Sequence, residues 1–155
     1  MRKFEKVSLN EYLKYQTEES YNEIVLPKRQ TEKSAGYDFY LPYDVLFEKG
    51  KVTKVYTGIK ARMNDDEFLG MFIRSSVGGK LNLNLANQVG IIDSDYYNNE
   101  SNEGHIIVSV RNLNDFDVVM KKGERISQGI FMKFFTTCDD DASGVRSGGL
   151  GSTKK

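Results

Sequence analysis

Cysteine occurs once in the 155-residue chain, at Cys138, so no disulfide can form within it and a reducing compartment suits it. Histidine also occurs once, at His105. One Cys and one His cannot build a Cys/His zinc site in a single chain, so any metal has to be a hard cation held by oxygens. Net charge is missing too, because 22 Lys and Arg balance 22 Asp and Glu. A chain without it has no broad basic face for non-specific nucleic-acid binding; a charged partner must be met by a local pocket. No apolar run approaches the ~18–20 residues of a membrane span. The opening Met1-Arg2-Lys3-Phe4-Glu5-Lys6 has no apolar stretch behind it and reads as no signal peptide. The expectation is a cytoplasmic protein that works without nucleic acid or membrane.

What is present is enough apolar material, 39% of residues, for one real core. The expected organisation is one domain over 1–155: an N-terminal extension with a helix (1–23), a β core (24–138) and a flexible arm (139–155). Residues 8–21 read as a helix. Ser8 and Glu11 form an S-x-x-E capping box, and Val7 and Tyr12 are spaced as a hydrophobic staple. Beyond Pro27 the period changes to two. Tyr37, Phe39 and Leu41 alternate with polar neighbours; so do Val55 to Met63, Leu81 to Leu85, Ile106 to Val110, and Ile130 to Phe134. Turn signals at Asn64-Asp65-Asp66, Gly78-Gly79, Asn98-Asn99 and Lys121-Lys122-Gly123 separate them. Many short strands predict an all-β sandwich or barrel. The end, Gly144 to Lys155, is glycine-rich, polar and basic, suited to folding over a bound anion.

Three segments could carry chemistry. Arg74-Ser75-Ser76-Val77-Gly78-Gly79-Lys80 offers a guanidinium fork, hydroxyls and small turn residues to phosphate oxygens; it is not a Walker A loop, since Arg74 and Leu81 stand where that pattern needs Gly and Ser or Thr. Gly90-Ile91-Ile92-Asp93-Ser94-Asp95-Tyr96 sets two carboxylates after an apolar stretch, where a partly desolvated one can act as general base on water. Gly123-Glu124-Arg125-Ile126-Ser127-Gln128 opens the last strong strand. His105, alone in a polar loop, reads as a solvated surface group, and Cys138 among aspartates has no reason to be reactive.

With Ala35-Gly36-Tyr37-Asp38-Phe39 and Arg146-Ser147-Gly148-Gly149-Leu150-Gly151-Ser152-Thr153, these segments stand in the order and spacing of five motifs. Together they resemble those of the homotrimeric dUTPase family over residues 24–153. That resemblance implies a β jelly roll, trimerisation about a threefold axis, and active sites shared between subunits, each covered by a C-terminal arm. It implies conversion of dUTP and water to dUMP and pyrophosphate by Mg2+-assisted attack at the α-phosphorus. This would keep uracil out of DNA and supply dUMP for thymidylate synthesis.

By resemblance, Asp93 activates the water. Arg74 and Ser75 bind phosphate, with Ser76 continuing the loop, and Gln128 helps hold the phosphates. Tyr96 packs on the deoxyribose. Asn87, Ile92 and Ile107 border the uracil pocket. Arg146, Leu150, Gly151 and Ser152 belong to the covering arm, and Asp38 supports the site. No residue is implied as a direct metal ligand, since magnesium rides on phosphate oxygens and water. Leu150 replaces the usual base-stacking Phe, leaving either it or an aromatic such as Tyr97 to cover uracil. The stretch 97–104 is an added polar loop, expected to be exposed. Two alternatives attach to these departures. One is a dUTPase-fold regulatory protein acting through the 97–104 loop, with a protein partner if phage-encoded. The other is a dCTP deaminase relative, against which Ser109 stands where that group carries its catalytic Glu.

Overall fold

The computed structural model describes residues 1–146, 148 and 149. Leu150, Gly151 and Ser152 of the expected arm lie outside the described residues. The alternating segments form strands β1 (Lys3–Lys6), β2 (Tyr37–Tyr40), β3 (Val45–Phe47), β4 (Val52–Tyr56), β5 (Ile59–Arg62), β6 (Glu67–Ile73), β7 (Leu83–Leu85), β8 (Gly90–Asp93), β9 (Ile107–Asn112), β10 (Val118–Met120) and β11 (Arg125–Lys133). Their ladders are antiparallel among the described residues. One sheet runs β2-β11-β6-β8 and another β4-β9-β7; β1 pairs with β5 and β3 with β10. The inward faces meet in a single core that fully buries Tyr12, Phe39, Phe47, Leu69, Leu83, Ile106 and Ile126.

Several expectations are corrected by long-range contacts. The 8–21 helix is two short ones, α1 (Leu9–Tyr12) and α2 (Glu18–Asn22). Thr17 starts a new N-cap by accepting from the Ser20 N–H at 3.3 Å, so the chain restarts rather than continues. Half of the capping box is present, with the Ser8 hydroxyl accepting from the Glu11 N–H at 3.1 Å. The Ser8 N–H instead donates to the Glu103 carboxylate at 2.9 Å, and Glu11 is buried beside His105. The alternation over 55–63 breaks at Gly58, whose φ of +70° turns the chain from β4 to β5. A Cβ there would also stand 3.1 Å from the Tyr12 ring, so glycine is required twice over.

The turn expected at Gly78-Gly79 lies instead within a helix, α3 (Ser75–Leu81). Two glycines cost it about 1 kcal/mol each against alanine, but buried Val77 anchors it and Asn82, at φ 51°, ends it in the left-handed region. Leu81 therefore belongs to a helix and the strand begins at Leu83. On β11, Met132 and the following Phe134 are exposed rather than inward.

His105 is not a surface group. It is completely buried, its Nε2 accepting from the Gly58 N–H at 2.9 Å and its Nδ1 3.5 Å from a Glu11 carboxylate oxygen. Burial pushes its pKa below the usual imidazole value, against the pull of Glu11. The 97–104 loop is likewise not simply exposed, since Asn99 and Asn102 are buried.

Candidate active site

One end of the four-stranded sheet gathers cations. Asp38 on β2 is buried opposite Gln128 on β11. One of its carboxylate oxygens accepts from Arg74 Nε at 3.0 Å and the other from an Arg125 terminal nitrogen at 3.0 Å. The two guanidiniums are thereby aimed into a cleft of about 230 Å³ that Gly36, Ser75 and Gln128 also line. A Cβ on Gly36 would collide with the Gln128 amide oxygen, so glycine there leaves that amide its place. A second guanidinium nitrogen of Arg74 lies 3.4 Å from the Ser76 hydroxyl. Two cations, a hydroxyl and an amide in an open cleft are suited to phosphate oxygens. Arg125 was not among the sequence candidates; the signal was Asp38 itself, because a buried carboxylate on a strand needs cationic partners.

The β8 edge of the sheet is different in chemistry. A narrow cleft of about 50 Å³ lies between β8 and β9, with Asn87, Gly90, Ile92, Ile107 and Ser109 in its wall and no charged residue lining it. Gly90 keeps it open, since a Cβ there would be 3.0 Å from the Met71 Cβ. At the end of β8, Asp93 is half exposed, not desolvated as expected of it. The following 3-10 turn (Ser94–Tyr96) buries Tyr96. Burial pushes the Tyr96 phenol pKa up.

The arm reaches this end of its own chain. Arg146 donates to Asp93 at 2.5 Å and to Asp95 at 2.7 Å, with its guanidinium carbon 5.7 Å from the Tyr96 ring centre. Tyr97 points elsewhere: its hydroxyl bonds Glu5 on β1 and Lys60 sits 5.4 Å from its ring. It is committed to the β1–β5 side. Among the described residues no group of three or more His, Cys, Asp or Glu comes together to hold a metal ion.

The ladder fixes the distance between Asp93 and Arg74. Asp93 is registered opposite Phe68, while Arg74 follows the last residue of β6. At ~3.3 Å per residue the six steps between them span about 20 Å. The clefts also lie at opposite sides of the sheet, one at β2 and β11, the other at the β8 edge, and share no lining residue. The sequence candidates thus fall into two groups. Arg74, Ser75, Ser76 and Gln128 are on the β2–β11 side; Asn87, Ile92, Asp93, Tyr96, Ile107 and Arg146 are on the β8 side, with Asp93 farthest from Arg74 along the strands.

The dUTPase family model matches residues 22–154. The chain belongs to the dUTPase family. A deoxyuridine 5'-triphosphate nucleotidohydrolase of Lactococcus lactis is 48% identical over 132 residues, covering 84% of this chain and 88% of that one. One from Desulfitobacterium hafniense is 35% identical over 83% of this chain and 86% of its own length. The crystal structure of dUTPase from Streptococcus mutans superposes with a TM-score of 0.73 at 42% identity, covering 86% of this chain and 97% of that one. The family member described here therefore has the dUTPase jelly-roll fold, with all-β layers and short accessory helices. The dUTPase of Staphylococcus bacteriophage 80alpha, at 16% identity and a TM-score of 0.70 over 100% of this chain and 95% of that one, shares the fold. No helix among the described residues is long and apolar enough to cross a membrane.

Proposed function

We propose that this family member hydrolyses dUTP to dUMP and pyrophosphate in a site assembled from more than one copy of the chain. One observation carries the reading: Asp93, beside the neutral base cleft, and Arg74, in the two-arginine anion cleft, stand about 20 Å apart along β6, and the two clefts share no lining residue among the described ones. One nucleotide with its triphosphate needs both kinds of cleft side by side. Two copies, packed so that the base end of one meets the anion end of the next, would supply them. A closed ring with threefold symmetry satisfies that contact for every copy.

In this reading the uracil enters the Asn87–Ile107 cleft, where a small rigid pocket leaves no room for thymine's methyl group. The Tyr96 ring lies against the deoxyribose and obstructs a 2′-hydroxyl. Arg74 and Gln128, with Ser75 and Arg125, hold the phosphates. Asp93 takes a proton from a water whose oxygen bonds the α-phosphorus, and the bond to the β-phosphate oxygen breaks to release pyrophosphate. Asp93 can do so only after Arg146 has left it, and the incoming triphosphate offers that guanidinium a stronger partner than two exposed carboxylates. A magnesium ion, which prefers six hard oxygens and gives up its waters reluctantly, would arrive on the phosphates and keep several waters. When bound, the ion would offset phosphate charge.

The test is pyrophosphate release from dUTP, dCTP, UTP and dTTP with magnesium, for the wild type and Asp93→Asn. Release from dUTP alone, abolished by the substitution, is expected. Equal release from all four, or none from dUTP, would refute the reading.

A further inference from the structure

The 97–104 loop closes an amide cage onto Tyr96. Asn99 Nδ2 donates to the Tyr96 carbonyl at 2.8 Å and to Asn102 Oδ1 at 2.7 Å. Asn99 Oδ1 accepts from the Ser101 hydroxyl at 2.8 Å and from the Asn102 N–H at 3.2 Å. Asn102 Oδ1 also accepts from the Gly104 N–H at 3.1 Å. What remains of Asn102 is its amide nitrogen, which donates to the Tyr96 hydroxyl oxygen at 2.8 Å. That hydroxyl donates in turn to the His105 carbonyl at 2.9 Å. Tyr96 is thus tied at its backbone and at the far end of its ring, and both ties are buried. A phenol held as donor and as acceptor cannot swing without leaving buried polar groups unpaired.

The same amide meets the arm. A Cβ placed on Gly149 would stand 3.0 Å from the Ser101 hydroxyl and 3.1 Å from Asn102 Nδ2, so the arm backbone lies directly against the cage. Three residues earlier, Arg146 lies over the Tyr96 ring. One side chain therefore touches both the ring and the segment that covers it.

We infer that Asn102 is a positioning residue for the reaction: it fixes the Tyr96 ring against the sugar and seats the arm at Gly149, so one amide sets both sugar selection and arm closure. The sugar half rests on the reading of Tyr96 given above; the arm half does not. Tyr96→Phe separates positioning from folding. It keeps the ring and removes only the hydroxyl that Asn102 holds. Asn102→Ala removes the same bond from the other end, together with the oxygen that serves Asn99 and Gly104. Tyr96→Ala removes the ring.

The assay is the ratio of kcat/KM for dUTP to that for UTP, with melting temperature beside it. For Asn102→Ala and Tyr96→Phe the ratio is expected to fall roughly fivefold, the yield of one hydrogen bond of about 1 kcal/mol, and Tyr96→Ala is expected to fall further. A collapse in Tyr96→Ala with wild-type ratios in the other two would overturn the positioning role and leave the Tyr96 reading standing. An unchanged ratio in Tyr96→Ala would overturn that reading and the sugar half with it. The arm half is read from KM for dUTP in a double-mutant cycle. Gly149→Ala is expected to raise KM severalfold in the wild type and less in an Asn102→Ala background, where the obstructing amide is gone. Additive effects would overturn the seat.

Discussion

Asp38→Asn tests whether the anion cleft works by orientation or by charge alone. The carboxylate holds Arg74 and Arg125 at 3.0 Å each and is itself 8% exposed. Asparagine keeps one acceptor and turns an amide NH2 toward the other guanidinium, so one charge-assisted bond worth about 1.5–3 kcal/mol is lost. An opposite effect competes, because removing a negative charge relieves repulsion of the phosphates. Through a solvated cleft that relief is about 1 kcal/mol or less at ordinary ionic strength. Orientation wins by roughly 1–2 kcal/mol, about a tenfold loss in kcat/KM for dUTP. The arginines are 23% and 35% exposed and stay hydrated, so the melting temperature should fall only slightly. Pyrophosphate release under subsaturating dUTP reads the first quantity and thermal melting the second. Unchanged or raised kcat/KM would show that Asp38 does not orient the cleft.

Two further outcomes follow from groups around the base end. Asp95→Asn removes one of the two anchors that hold Arg146 on Asp93. Because Asp95 is exposed, KM for dUTP should fall by about two- to fivefold, with the difference shrinking at high salt; a rise in KM would mean that Asp95 acts on the nucleotide itself. His105 gives a pH dependence of stability. Its folded pKa lies below the 6.5 of an ordinary imidazole, so the unfolded chain binds its proton first as pH falls. The contribution of His105 is present above pH ~6.5 and is lost below it, by up to about 1.4 kcal/mol per pH unit until the folded pKa is reached. Melting curves from pH 7 to 5 should be flatter for His105→Gln than for the wild type, and equal slopes would refute the assignment.

The strands and motif segments were legible because period-two alternation is local and each motif is contiguous. Phe39, Leu41 and Val108 follow directly from that pattern. What the sequence hid depends on partners far along the chain. Polar residues read as exposed because burial is costly without a partner, yet Asn99 and Asn102 are buried by satisfying one another and Tyr96. His105 was misread for the same reason, its acceptor having been claimed by Gly58, 47 residues away. The helix over 8–21 was cut short by a second N-cap at Thr17, which periodicity alone does not register. Arg125 entered the anion cleft unannounced, since only the pairing of β2 with β11 brings it to Asp38. The separation of Asp93 from Arg74 was least visible of all, because it is a matter of register: Asp93 opposite Phe68, six residues from Arg74.

That separation is tested most directly by subunit complementation. Asp93→Asn and Arg74→Ala chains, each inactive alone, are unfolded together, refolded in equal amounts and assayed for dUTP hydrolysis. If every site takes Asp93 from one chain and Arg74 from its neighbour, random assembly leaves about a quarter of the sites intact, and roughly a quarter of wild-type activity should return. If one chain supplied both residues, every site would carry a defect, and no activity above that of the separate variants would appear.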